Sequence, residues 1–462
     1  MDGSLFNPIV AEDKLHPSFV KLRDVADHPG RAMLEEIFAE YDDIDGNFLE
    51  QFQTTGFDAR LFELYLFALF SRHQYALDRR YPHPDFIIER IGVRVAIEAT
   101  TVNPPTSGPL QSYGKRIEDL SFKERLEYEQ HELAIRFGSP LFSKLQKRYW
   151  ELEHCSDLPL VLFVQAFHDK DALAFSDNAL TRYLYGLDQT TGEWRSDGSL
   201  EVFTAELDAH HTEGKSIPSN FFRLPGAEHI SAVVFTNSGT LTKFDRLGIH
   251  HGYGAENYLV QRFGTALNPH PDAMDPTMFL YDVGQPPFVE TWLQGLVVNH
   301  NPNATIPLPD DFFGTVVNVH LEEGRLVHVV QDWHPISSKT IVINAAELKS
   351  KLPKQLVTRT ILAVEAVPRQ RFGELVGFSY ESNPVFEEHG WFSDISESFV
   401  GVVLHDISDD DWGWVILARD PHFCFRAIEA ESSEPYRRAA CQAMQQRMME
   451  LLMEPKRIFV QD

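Results

Sequence analysis

The chain has 462 residues, 43% hydrophobic and 24% charged, enough for roughly two or three domains with proper cores, which excludes a fibrous, collagenous or wholly disordered polymer. Lys and Arg number 41 against 68 Asp and Glu, and the formal charge of −27 excludes a protein whose main task is to coat nucleic acid or anionic membrane, although a local basic groove is still allowed. Three widely spaced cysteines, Cys155, Cys424 and Cys441, cannot build a disulfide framework, the amino terminus lacks the basic start and apolar stretch of a secretion signal, and the strongly apolar run Leu158 to Ala166 is far too short to span a bilayer; a cytoplasmic location with no membrane contact is expected.

In chain order, Leu61, Leu64, Tyr65, Ala68 and Leu69 recur at offsets of three and four and predict a helix over Arg60 to Phe70. Val93, Val95 and Ile97 alternate with Arg94, Ala96 and Glu98, the pattern of a half-buried strand. A turn-rich seam covers Asn103 to Gly114, a long helical region is expected from Ser121 to Glu153, and Leu158 to Ala166 reads as a strand covered on both faces. Leu200 to His210 looks helical. Further seams run from Asn268 to Pro287, with five prolines, and from Asn299 to Gly314, with three. The last divides an α/β domain, residues 1–311, from an α+β domain, residues 312–462. Beyond it a hairpin is expected over Val316 to Val330 around Glu323-Gly324, with strands near Val357 to Val367, Phe399 to Leu404 and Trp412 to Arg426, and a closing helix from about Ser433 to Met453.

The chemistry concentrates in the first domain. Glu63 lies in the helix Arg60 to Phe70, Pro84-Asp85 opens the apolar run Phe86 to Ile88, and the next strand ends in Glu98-Ala99-Thr100. Residues two apart in a strand share a face, so Glu98 and Thr100 point together. A turn at Ile91-Gly92 would fold the Asp85 segment back antiparallel and bring Asp85 near Glu98. Two convergent carboxylates, three with Glu63, form a hard-oxygen site suited to Mg²⁺ or Mn²⁺, able to polarise a phosphoryl oxygen and to acidify a bound water. From Arg72 to Arg148 there are 13 Lys or Arg and 10 Asp or Glu, whereas residues 151–462 hold 23 and 44. Basic groups thus gather around these carboxylates, as holding a phosphate backbone requires.

A helix with Glu, Pro-Asp before one strand and Glu-x-polar at the end of the next resemble the PD-(D/E)xK, or restriction-endonuclease-like, nuclease superfamily over roughly Arg60 to Ala166. The resemblance implies a mixed sheet flanked by helices, with Glu63, Asp85 and Glu98 as metal ligands. The family pattern has Lys where this chain has Thr100, and a hydroxyl cannot neutralise charge on a phosphate. The superfamily can move its basic residue to a neighbouring helix. Lys144, Lys147 and Arg148 stand on one predicted helix face, and Lys144 is the candidate. Gln165, near the end of the following strand, is a further polar candidate. The resemblance implies a Mg²⁺-dependent endonuclease acting on DNA in preference to RNA, in defence or DNA maintenance. The contrasting reading is an inactive nuclease-like binding or regulatory protein, with a protein partner or a second copy of the chain. The domain over 312–462 would choose target, partner or activation state.

Other motifs fall short. Ala209 to Ser216 satisfies a permissive phosphate-loop pattern but lacks the strand before and helix after it. Asp42, Asp43 and Asp45 before Gly46 lack the first ligand of a calcium loop. His250-His251 beside Gly252 reads as a glycine-rich loop. Glu290, Trp292, Asn299, His300, Asn301 and Asn303 read as structural groups of an irregular connection. Trp412, Trp414, Phe423 and Phe425 read as core, with Asp409, Asp410 and Asp411 beside them. Ala440, Met444, Met448, Leu451 and Leu452 form a stripe that packs on its own sheet.

Overall fold

Strands that are apolar on both faces need cover on both sides, and this requirement organises the first part of the chain. The computed structural model describes residues 4–44, 46–103, 124, 127–168, 176–194, 200–212, 214–267, 276–285, 289–331, 333–344, 362–363, 386–393, 399–406, 411–419, 425–434 and 437–453. Two units separate, residues 1–279 with 283–342, and residues 280–282 with 343–462.

The first unit opens with four helices, α1 (Pro17–Arg23), α2 (Pro29–Ala39), α3 (Phe48–Gln53) and α4 (Phe57–Arg72). The strands β1 (Ala76–Asp78), β2 (Phe86–Arg90) and β3 (Val93–Val102) follow, then α5 (Leu133–Leu145), β4 (Leu160–Ala166) and α6 (Asn178–Tyr185). Two hairpins come next, β5 (Leu187–Trp194) with β6 (Leu200–Glu206) and β7 (Ala209–Thr212) with β8 (Lys215–Pro218). The chain continues with β9 (Ala232–Phe235), α7 (Leu241–His250), β10 (Tyr258–Ala266), β11 (Thr277–Asp282), β12 (Val297–His300), β13 (Val317–Glu322), β14 (Arg325–Val329) and β15 (Pro335–Asn344), of which β11 and β15 end in the second unit.

An eight-stranded mixed sheet in the order β1-β2-β3-β4-β9-β12-β13-β14 forms the centre. β2 lies between β1 and β3 and is antiparallel to both, while β4 lies parallel to β3 and to β9. Phe86, Ile88, Val95, Ile97, Val161 and Phe163 share one core with α1 to α4, whereas Ile87, Ala96, Leu160, Leu162 and Val164 share another with α5 and α6. This is an α/β core with its sheet flanked by helices.

Arg90 pairs with Val93, so Ile91 and Gly92 alone make the β2–β3 turn, with φ of 49° and 76°. Left-handed conformations at both positions suit the right-handed twist of the strands, and glycine takes one of them without a Cβ clash. Phe86 stands opposite Ile97, which sets Asp85 beside Glu98 at the mouth of the hairpin.

Several expectations change. Leu200 to His210 is not helix but the strand β6, over Leu200–Glu206, and the start of β7, because β6 pairs with β5 and Val202, Phe203 and Thr204 are good strand formers. The phosphate-loop-like Ala209 to Ser216 is the β7–β8 hairpin. Within Ser121 to Glu153 the described helix stops at Leu145, and Arg148 adopts a left-handed conformation, φ 53°, ahead of a short 3-10 turn at Tyr149–Glu151. Lys144, Lys147 and Arg148 therefore do not share one helix face. The expected division at 311/312 moves to 342/343, since β13 and β14, the hairpin around Glu323-Gly324, belong to the eight-stranded sheet. Residues 104–114 of the first seam, 268–275 and 286–287 of the second, Asp45, Phe423, Cys424, Asp409, Asp410 and most of Val357 to Val367 lie outside the described residues.

In the second unit, β16 (Leu362–Ala363), β17 (Phe386–Ser393), β18 (Phe399–Asp406), β19 (Asp411–Arg419) and β20 (Phe425–Glu434) form an antiparallel sheet in chain order. The terminal helix α8 runs over Arg437–Met453, starting later than Ser433 because β20 extends to Glu434. Ala440, Met444 and Met448 pack with Val403, Trp414 and Ile416. The helix lies so close to β18 that a Cβ on Gly401 would stand 2.5 Å from the Met444 sulfur and 2.8 Å from that of Met448. Among the described residues no helix is long and apolar enough to cross a membrane.

Candidate functional site

The hairpin register brings two carboxyl groups together. The Asp85 N–H donates to Glu98 Oε2 at 3.2 Å, and the Ala99 N–H donates to Asp85 Oδ2 at 2.7 Å. The other oxygen of Glu98, Oε1, accepts from the Tyr149 hydroxyl at 2.7 Å and from the Lys144 ammonium. Glu98 is buried at 2% exposure, and Lys144 reaches it from the last turn of α5. A cleft of about 320 Å³ opens here, lined by Glu63, Asp85, Thr100 and Lys144 together with Arg60, Gln51, Phe62 and Asn103. Sequence reasoning passed over Tyr149, Arg60 and Arg79.

Glu63 comes to the same cleft from α4. Its carboxylate pairs with Arg60, lies 3.7 Å from the Arg79 guanidinium and accepts from the Tyr41 hydroxyl. Burial is the first cause pushing Asp85 far above the ordinary carboxylate range, to about 8, with the charges of Glu98 and then Glu63 adding and Lys144 and the Ala99 N–H opposing. Burial and the Glu98 carboxylate likewise push the Tyr149 hydroxyl up. Glu63 and Asp85 line this cleft and Glu98 lies buried beside Asp85; among the described residues these three carboxylates are not a group whose donor atoms all lie within 4.8 Å of one another.

Gln165 is placed differently. Its amide donates to the Gly239 carbonyl at 3.0 Å and accepts from the Gly239 N–H at 2.8 Å, with no exposure. It fastens the loop between β9 and α7 and does not line the cleft.

A second group of donors stands elsewhere on the sheet. Asn299 of β12 pairs with Val319 of the parallel β13, so His300 and His320 fall side by side and their rings stack at 4.4 Å. Asp310 Oδ1 lies 3.8 Å from His300 Nε2 and 3.7 Å from His320 Nε2. The three donor atoms lie within 4.8 Å of one another, a potential metal-binding cluster. Burial lowers the His300 pKa, which favours the neutral form that ligates. Its Nε2, however, stands 2.8 Å from Asn318 Oδ1, and the Asp310 side chain is 70% exposed. Pairing across parallel strands set this cluster, and no sequence spacing announces it.

The other polar groups of that connection are structural. Asn299 accepts from the Thr181 hydroxyl and donates to the Val233 carbonyl, Asn301 donates to the carbonyls of Ala227 and Ile230, and Trp292 is buried in the core. Glu290 is buried among Lys243, Arg246 and Arg262.

Comparison with protein-family models, with curated proteins and with solved structures returns no match.

Proposed function

We propose that this chain is a metal-dependent nuclease that hydrolyses phosphodiester bonds, DNA before RNA, in the cleft lined by Asp85, with Glu98 buried beside it. The observation that carries this reading is the meeting of the two carboxyl groups at the mouth of the β2–β3 hairpin, with Lys144 on Glu98. An antiparallel hairpin leading into a parallel strand, with Glu on the preceding helix, is similar to the PD-(D/E)xK arrangement.

Asp85 and Glu98 would hold Mg²⁺ or Mn²⁺, with Glu63 assisting directly or through water. The ion, when bound, supplies charge to polarise a phosphoryl oxygen and to acidify water. Lys144 offsets the charge of Glu98 and stands in the cleft wall, where an ammonium can steady a scissile phosphate. Thr100 offers a neutral hydroxyl at the same wall and can orient water but cannot neutralise charge. The second unit would choose target, protein partner or activation state.

A second reading, an inactive nuclease-like binding protein, draws on the hydrogen bonds Glu98 already accepts from Lys144, Tyr149 and the Asp85 N–H. Incubating supercoiled plasmid or single-stranded RNA with the full chain, with Mg²⁺, Mn²⁺ or EDTA, separates the two. Nicking that needs the ion and falls by about a hundredfold or more in Asp85→Ala is expected. Equal nicking by wild type and Asp85→Ala, or none with either ion, contradicts the hydrolase reading.

A further inference from the structure

Parallel pairing of β12 with β13 sets Val298 beside Asn318 and Asn299 beside Val319, so His300, at the end of β12, falls next to His320. Side chains two apart along a strand share a face, which puts Asn318, His320 and His300 on one side of the sheet. His300 Nε2 stands 2.8 Å from Asn318 Oδ1, and the two imidazole rings stack at 4.4 Å. The connection over residues 301–316 brings Asp310 back to this face, its Oδ1 3.8 Å from His300 Nε2 and 3.7 Å from His320 Nε2. Exposure rises from floor to mouth: Asn318 2%, His300 8%, the His320 side chain 22% and that of Asp310 70%.

Two imidazole nitrogens beside one carboxylate and one amide oxygen favour a particular class of ion. Mg²⁺ and Ca²⁺ take oxygen ligands, whereas imidazole suits zinc and its neighbours in the first transition series. Donors about 2.0–2.2 Å from a zinc ion stand roughly 3.3–3.6 Å apart in a tetrahedron. The separations of 3.7 and 3.8 Å exceed this only slightly, and an exposed Asp310 side chain closes the gap without moving a strand. The His300–Asn318 pair has to open by roughly half an ångström. Without an ion, the Nε2–H of His300 donates to Asn318. Coordination takes the other neutral tautomer, with the ring proton on Nδ1, and leaves Asn318 Oδ1 as a fourth donor.

We propose that His300, His320, Asp310 and Asn318 bind a zinc-class transition-metal ion that ties the 301–316 connection to the two strands it joins. The site shares no residue with the cleft of Asp85, and the proposal does not depend on hydrolysis there. The full chain, stripped with EDTA, dialysed and kept in millimolar Mg²⁺, is titrated with Zn²⁺ by calorimetry and then melted with and without the ion. One Zn²⁺ should bind at micromolar concentration or below and raise the melting temperature of one unfolding transition by a few degrees. Asp310→Asn and His320→Ala should each weaken binding by about tenfold or more and remove the rise, while Asp85→Ala leaves both in place. The Asp310 side chain is exposed, so Asp310→Asn tests the ligand set even if His320→Ala, which loses a stacked ring, fails to fold. No Zn²⁺ binding at tens of micromolar overturns the proposal. Binding unchanged in Asp310→Asn does so too and assigns the zinc to other residues, as does binding lost in Asp85→Ala. Binding that leaves every melting temperature in place overturns the tie between the connection and its strands.

Discussion

Asp85 is a carboxyl group that the fold holds against its own ionisation. Because its folded pKa, about 8, lies above the ordinary carboxylate value, its favourable contribution is full below about pH 4 and is lost as pH rises through 8. Without metal, Asp85→Asn should therefore melt a few degrees higher than wild type at pH 8 and nearly with it at pH 4. Thermal unfolding in EDTA at the two pH values measures this; equal melting temperatures at pH 8 would mean that Asp85 ionises there without penalty. The pairing of this residue with Glu98 was legible because Pro-Asp, a two-residue turn and an alternating strand are local patterns. The hydroxyl of Tyr149 was not, since it depends on where the chain turns after α5. Nor was the fate of Gln165, because a polar residue at a strand end reads the same whether it faces a cleft or fastens a buried loop.

The β2–β3 hairpin is the element on which the site depends. A one-residue slip in it would turn Glu98 to the opposite face of the sheet. Gly92→Val forces a β-branched residue into φ 76° and should cost about 1–3 kcal/mol in urea unfolding. Metal-dependent nicking should fall further than this loss of stability explains, because Asp85 is set at the far end of the same hairpin. Stability and nicking both unchanged would show that the turn does not set the register. Helix and strand types were readable here where one period ran unbroken, as in α4 and β3. They failed where pairing decided, as in β6, whose strand state depends on β5, and at the end of α5, where Arg148 leaves the helix and separates Lys144 from Lys147 and Arg148.

At the scale of the whole chain, each unit has a core of its own, so calorimetry should resolve two unfolding transitions. Gly401→Val crowds Met444 and Met448 and should lower one of them by about 1–3 kcal/mol while the other stays in place. A shift of both together would show that the units unfold as one. The change from α/β to α+β texture could be read from sequence, but its position could not, because a seam with three prolines between 299 and 314 lies inside the eight-stranded sheet. The His300–Asp310–His320 cluster arises from that same long-range pairing and gives the chain a place where a divalent ion could bind, apart from the one proposed at the hairpin.

Manganese binding followed by electron paramagnetic resonance decides between the two places and tests the central claim most directly. Mn²⁺ bound by the wild-type chain should be lost in Asp85→Ala and Glu98→Ala and kept in His320→Ala. Binding that survives both carboxylate substitutions, or that disappears only with His320→Ala, would contradict a metal site at the hairpin cleft.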